Sequence, residues 1–211
     1  MAKEKETKQT INKEIIALSD VEHVRFRPTM YIGSVEELED DIRVIKDNAI
    51  LTEKKMISVG FYKLLNEIVD NAFDEAKRNV GSPNLEIIVS FDSKTNKVSV
   101  TDTGGGFLNA SKTNSKTGLS NVETALSNLR AGSNFTNDNI DESIIGTNGV
   151  GASIVNMLSD EFEVLTVNDH EVYHQKWADF KTVDKNVSKK TSKDKRGTTI
   201  SFIPLNSMFK K

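Results

Sequence analysis

The stretch LLNEIVDNAFDEA, Leu64 to Ala76, decides how this chain is read. Around it, from about Ser58 to Asn79, Phe61, Leu64, Leu65, Ile68, Ala72 and Ala76 recur at steps of three and four. That is the period of a helix with one apolar face. Gly81-Ser82-Pro83 ends it. At about 100° per residue, Glu67, Asn71 and Asp74 share one face, and the pattern puts them opposite the apolar stripe. A solvated polar face is the bland explanation. The chemical one is that a carboxylate polarises a water while an amide oxygen holds Mg²⁺. Glu67 and Asn71 offer those two groups one turn apart.

Beyond the helix the pattern turns to strands. Leu85 to Phe91 is apolar and β-branched, Asp92 to Asn96 is turn-forming, and Lys97 to Asp102 alternates with Val98 and Val100 on one face, so a hairpin is predicted. Asp102 stands just before Gly104-Gly105-Gly106. Turn chemistry alone favours Asp and Gly there. A carboxylate fixed at a strand end could also accept a hydrogen bond from an exocyclic amine such as that of adenine, the glycines letting a flat ring approach the backbone. Residues 107 to 145 are rich in Ser, Thr and Asn, with one helical stretch near Asn121 to Leu129, and read as a long mobile segment. A second glycine cluster, Gly146 to Gly151, runs into an apolar helix, Ala152 to Leu158. Glycines before a helix N-terminus present N–H groups and a positive dipole end to phosphate. Their spacing is G-x-x-G-x-G. It is neither the Rossmann G-x-G-x-x-G nor a P-loop, and alone it is a weak signal.

Strands are predicted at Phe162–Val167, Glu171–Trp177 and Thr198–Pro204, with a basic loop from Lys181 to Arg196. Toward the N-terminus, Arg27-Pro28 and Gly33 mark a turn between short elements. Glu36 to Lys55, polar and charged, reads as a loop with some helix. The element order predicts an α/β (α+β) two-layer sandwich, a mostly antiparallel sheet with helices on one face, not repeated βαβ units.

Composition narrows the classes. The 211 residues are enough for one domain with a proper core. No apolar run is long enough to span a bilayer. Met1 to Thr10 is rich in Lys, Glu and Thr without an apolar h-region, so it is no secretory signal and reads as a flexible arm, extending to residue 17. With no cysteine, disulfides and thiolate metal sites are excluded. The formal charge of −3 argues against a domain that grips duplex DNA by itself.

Taken together, the motifs carry a resemblance. LLNEIVDNAFDEA is similar to the N-box of the GHKL (Bergerat-fold) ATPases, VTDTGGGF to their adenine-binding glycine motif, and IGTNGVGASIVNMLS to their phosphate-binding motif. RPTMYIGS, AGSNF and RGTTISFIP resemble the type IIA DNA topoisomerases within that family. LSDVEHVRFRP and GTTISFIP look most like the T-even-type phage branch. The likeness runs from about Leu18 to Phe209, and residues 18–211 are expected to form the ATP-binding domain.

The resemblance implies ATP and Mg²⁺ as ligands. Glu67 would be general base and Asn71 the Mg²⁺ ligand. Asp102 would bind the adenine amine, with Thr198 helping through a water. Gly106 would lie under the base, with Asp74, Glu75, Gly104 and Phe107 beside it. Ser133 and Asn134 would sit in a nucleotide lid, and Gly146, Asn148, Gly149, Val150 and Gly151 about the phosphates. It also implies a dimerising clamp built with a second copy, a cleavage subunit or domain, DNA acting through the rest of the enzyme, no membrane, and a cytoplasmic location in a bacterium or phage-infected host. The family places a lysine for the γ-phosphate in a transducer domain that follows. The chain stops at Lys211, so an excised N-terminal piece with little turnover of its own is expected. Gly105 stands where bacterial gyrases have an arginine paired with a glutamate matching Glu75, and His174 where they have another. Both departures bear on drug binding. Two competing readings are a chaperone- or repair-type member of the same family, which RPTMYIGS argues against, and a DNA-binding module with incidental glycine loops, which the acidic balance argues against.

Overall fold

The computed structural model describes residues 15–78, 85–132 and 149–209. Most of the expected arm, Ser133, Asn134, Gly146 and Asn148, and the Gly81-Ser82-Pro83 helix stop lie outside the described residues.

Two short helices open the fold. In α1 (Asp20–Phe26), Ser19 and Glu22 form a capping box, the Ser19 backbone N–H donating to Glu22 Oε2 at 2.8 Å. Pro28 opens the single turn α2 (Thr29–Ile32). The next segment departs from expectation. Residues 37–58 form a hairpin, β1 (Glu37–Lys46) and β2 (Ala49–Ser58), not a loop with some helix. Charge hid the β-branched positions Ile42, Val44, Ile45, Ile50 and Ile57. Asp47 and Asn48 make the two-residue turn with φ of 51° and 59°, the left-handed pair that matches strand twist.

Helix α3 (Val59–Arg78) follows, its apolar stripe of Leu64, Ile68 and Ala72 buried as the periodicity predicts. Then come β3 (Ile87–Asp92), β4 (Lys97–Asp102), α4 (Asn121–Ser127), α5 (Gly151–Met157), β5 (Ser159–Val167), β6 (Glu171–Ala178), β7 (Lys181–Lys189) and β8 (Gly197–Pro204). Six strands make one sheet in the order β3-β4-β8-β5-β6-β7, and every described pairing in it is antiparallel. The expected basic loop is thus half strand. Its lysines mark an exposed edge, where charge discourages pairing with another chain.

The register sorts the helix-side face into rows. Val98, Phe202, Phe162 and Trp177 stand side by side, and Phe162 meets Trp177 edge to face at 5.7 Å. The next row is Val100, Ile200, Val164 and Gln175, and the last is Asp102, Thr198, Thr166 and Tyr173. All twelve are buried. Fully burying an aliphatic or aromatic side chain contributes roughly 1.5–3 kcal/mol, so the first two rows, under α3 and α5, hold the layers together. The third row is polar. The outer face carries part-buried hydroxyl pairs, Ser99 with Ser201 at 2.8 Å and Thr101 with Thr199 at 2.9 Å, each satisfying the other.

Candidate functional site

The polar row ends at the glycine loop that follows β4, and that loop is fastened from two sides. Gly106 has φ +72° and lies so close to β5 that a Cβ there would sit 2.3 Å from the Val167 carbonyl oxygen. The Phe107 N–H donates to Thr166 Oγ1 at 2.9 Å, and Asn168 Nδ2 donates to the Phe107 carbonyl at 2.7 Å. On the other side the loop meets α3. The Gly105 N–H donates to Glu75 Oε1 at 2.8 Å. A Cβ on Gly104 would meet Glu75 Cγ at 2.6 Å and Asp102 Oδ1 at 2.9 Å. Two of the glycines are therefore required by the packing of the loop against β5 and α3, and the backbone N–H of Gly105 takes up the glutamate that an arginine would otherwise hold.

Asp102 is 7% exposed, and its Oδ1 accepts the Gly104 N–H at 2.9 Å. Burial pushes its carboxyl up to about 6, with nearby Glu75 adding to the rise and the N–H of Gly104 and the backbone of Thr198 opposing it. Thr198, also buried, pairs hydroxyl to hydroxyl with Thr166 at 3.0 Å. The polar row thus sets one carboxylate and two hydroxyls beside the glycine loop, an acceptor with hydroxyl partners suited to the edge of a purine.

Glu67 belongs to the third motif as well as the first. A Cβ on Gly151 would fall 1.9 Å from Glu67 Oε2, so the carboxylate lies directly against the first residue of α5. Val150 is the N-cap of α5 and no side chain caps it, while Gly149 takes φ +60°. The three motifs, far apart in sequence, close around one place. Their elements bring them there: α3 carries Glu67 and Glu75, β4 carries Asp102, and α5 carries Gly151.

One residue in this arrangement was not singled out from the sequence. Lys63 Nζ lies 2.5 Å from Glu67 Oε1, one helical turn before it. A Lys–x–x–x–Glu spacing was the available signal, and surface pairs of that kind are common enough to pass unnoticed. Lys63 also moderates a crowded acidic edge. The Asp70 carboxyl is pushed up by burial first and then by Glu67 and Asp74, with Lys63 and Lys77 pulling it down.

Two expectations need correction. Asp74 is 3% exposed and so lies at the buried margin of α3, not on a solvated face. The polar arc borders the apolar stripe, because Leu64 and Ile68 are only one step round the helix from Glu67. Asn71 is exposed, as expected. His174 lies between Leu165 and Asn186 on the outer face of the sheet, with Nε2 3.0 Å from Glu163 and Nδ1 3.3 Å from Asp184. Strand alternation points it away from Asp102 and Thr198, so it does not replace a rim arginine. The flanking loop supplies a different one: Arg196 Nη2 reaches the Gly105 carbonyl at 3.5 Å.

Residues 56–207, which hold all three motifs, match the family described as histidine kinase-, DNA gyrase B-, and HSP90-like ATPases. The chain belongs to that family. It is 34% identical over 196 residues to the B-type subunit of DNA topoisomerase 4 from Staphylococcus aureus, an alignment covering 93% of this chain and 25% of that one. Its fold is similar to the ATPase region of Saccharomyces cerevisiae topoisomerase II bound to ICRF-187 (dexrazoxane), with TM-score 0.82 and 25% identity over 93% of this chain and 52% of the other. The ATPase and transducer domains of topoisomerase II from Balamuthia mandrillaris give 0.83 and 26%, over 97% and 52%. The chain therefore spans a quarter of the curated relative's length and about half of the solved ones. It is an ATP-binding, ATP-hydrolysing domain of the GHKL kind, with the fold of type IIA topoisomerase ATPase regions.

Proposed function

We propose that the chain is the ATP-operated part of a type IIA DNA topoisomerase, closing a clamp of two copies that serves DNA strand passage together with a cleavage subunit or domain, in the cytoplasm. The observation that carries the chemistry is the contact of the Glu67 carboxylate with Gly151, while Asp102 lies buried where the glycine loop after β4 meets the same helix, α3.

In this reading Asp102 accepts the adenine amino group, Thr198 supports it through a water, Gly106 lies under the base, and Gly104, Phe107, Asp74 and Glu75 shape the surrounding wall. Gly149, Val150 and Gly151 present N–H groups to the phosphates at the start of α5. Asn71 is a fitting single ligand for Mg²⁺. Its amide is exposed one turn from Glu67, and Mg²⁺ takes few protein oxygens, completing its shell with water and phosphate. The ion would neutralise charge on the phosphates. Glu67 takes the proton of the attacking water, and its place is fixed by Lys63 on one side and Gly151 on the other. Most of phosphoryl transfer is positioning of this sort.

The test is Glu67→Gln. ATP-analogue binding is expected to stay within about threefold of the parent while hydrolysis falls by about two orders of magnitude or more, since a general base acts on the water and not on ground-state affinity. Hydrolysis at the parent rate would remove Glu67 from this role.

A further inference from the structure

The lysines of β7 and of the turn that joins it to β8 play no part in the nucleotide site. Residues 181–196 hold seven lysines and arginines against two aspartates, whereas the whole chain has 28 basic residues against 31 acidic. Positive charge is thus gathered into one segment of an otherwise acidic protein. Both aspartates of the segment are already engaged: Asp184 with His174 at 3.3 Å, and Asp194 with the N–H and hydroxyl of Thr191 at 2.7 and 2.8 Å. Lys185 is held by Glu123 at 2.8 Å and Arg196 by Asp169 at 3.3 Å. Lys181, Lys189, Lys190, Lys193 and Lys195 form no ion pair among the described residues.

These free cations are on a fixed frame. β7 is an edge strand whose residues are all exposed. The turn is tied by the Lys190 N–H to the His170 carbonyl at 3.0 Å and by the Thr191–Asp194 contacts. By the pairing register Lys189 stands beside Glu171 and Lys181 beside Ala178, on opposite faces of the sheet, so Lys189 groups with Lys190, Lys193 and Lys195 at one end of β7. A compact anion would use a pocket. Four cations within seven residues on an exposed edge suit a polyanion, and duplex DNA carries one charge per about 1.7 Å of its axis. The segment holds no Phe, Tyr or Trp on which unpaired bases could stack, which disfavours single strands.

We propose that the β7 edge and the turn after it form a sequence-independent contact for the phosphate backbone of duplex DNA. The choice of DNA among polyanions rests on the topoisomerase reading above; the contact itself rests on the charge arrangement. Binding of a labelled duplex is measured by fluorescence anisotropy between about 25 and 150 mM salt. The slope of log affinity against log salt reports about 0.9 per phosphate neutralised. The quadruple variant Lys189→Gln, Lys190→Gln, Lys193→Gln, Lys195→Gln is expected to bind at least tenfold more weakly at the lowest salt, with a slope shallower by two to four units of that size. Lys112→Gln with Lys116→Gln, which removes charge from another exposed stretch, is expected to change neither. ATP-analogue binding, followed on the same samples, is expected to be equal in all, which keeps a failure here distinct from a failure of the nucleotide assignment. The proposal is overturned if the parent does not bind duplex DNA at the lowest salt, if the quadruple variant keeps the parent's affinity and slope, or if single-stranded DNA or heparin binds in preference to the duplex.

Discussion

Nucleotide affinity should fall on acidification through a pH at which ordinary aspartates are silent. Asp102 can accept a hydrogen bond from the adenine amine at full strength only while ionised, and its buried carboxyl titrates at about 6. About nine-tenths of it is charged at pH 7 and about one-tenth at pH 5, so affinity should drop roughly tenfold between the two; an aspartate at the unperturbed value of about 3.9 would change by less than a tenth. The phosphates of ATP titrate in the same range. Asp102→Asn, which keeps the shape and has nothing to protonate, measures that contribution, and the ratio of parent to variant isolates Asp102. The variant should bind more weakly than the parent at pH 7, since a charge-assisted hydrogen bond is worth about 1.5–3 kcal/mol. Stability should move the other way. A carboxyl whose folded value exceeds its unfolded one contributes stability below about 3.9 that is lost as pH rises through about 6, by at most about 3 kcal/mol. Without nucleotide, Asp102→Asn should therefore melt higher than the parent at pH 8, and that advantage should vanish at pH 4. Calorimetric titration at pH 5, 6 and 7 and melting at pH 4 and 8 supply the numbers. A parent-to-variant affinity ratio that stays constant from pH 5 to 7 would refute the adenine role of Asp102.

Lys63→Met should lower kcat about tenfold with KM nearly unchanged, and Lys63→Arg should restore most of it, because the contact at 2.5 Å orients Glu67 without touching substrate; a KM effect of equal size would place Lys63 on the nucleotide instead. Gly151→Ala and Gly106→Ala should part company in paired melting and turnover assays. The first displaces chiefly the carboxylate of Glu67, a side chain that can turn aside, and should cost hydrolysis while sparing the fold, whereas the second drives a Cβ into the Val167 carbonyl from a left-handed backbone and should cost roughly 1–3 kcal/mol or more of stability. Equal melting points for the two would contradict that distinction. Novobiocin-like compounds should bind more weakly here than to bacterial gyrase, by an order of magnitude or more, since Gly105 offers no guanidinium of its own and that of Arg196 is engaged by Asp169 at 3.3 Å. Gly105→Arg alone should recover part of the affinity in a thermal-shift titration, with His174→Arg adding nothing because His174 faces outward.

What could be read from the sequence was what short-range pattern encodes. The burial of Leu64, Ile68 and Ala72, the β3–β4 hairpin, and the glycines ahead of α5 each follow from period or turn chemistry within about twenty residues. The β1–β2 hairpin escaped because its strands face solvent and so carry charges where a buried strand would alternate cleanly; only Asp47-Asn48 betrayed it. β7 escaped for the same reason. Asp74 was misplaced because periodicity assigns an angle and not a neighbour, and its burial is set by what packs there. Lys63 and the outward turn of His174 depend on packing and on pairing register, neither of which a single sequence displays.

The register also explains why chemistry collects at one end of the sheet. Along β4, β8 and β5 the helix-side positions run from Val98, Phe202 and Phe162 through Val100, Ile200 and Val164 to Asp102, Thr198 and Thr166. Alternation fixes all nine on the same face, so a polar position at the end of one strand is bound to meet its counterparts on the neighbours. An ionisable group there would be costly in a closed core, where an uncompensated carboxylate protonates. Here the row ends at a loop of three glycines, packed close enough to supply an N–H to Asp102. Burial raises the carboxyl only part way, to about 6, so it stays largely charged at neutral pH and keeps an acceptor poised for a donor brought by ligand. The cost of holding that charge in the empty fold is offset when the donor arrives, which is why the residue expected to bind the base most strongly is also one that weakens the fold without it.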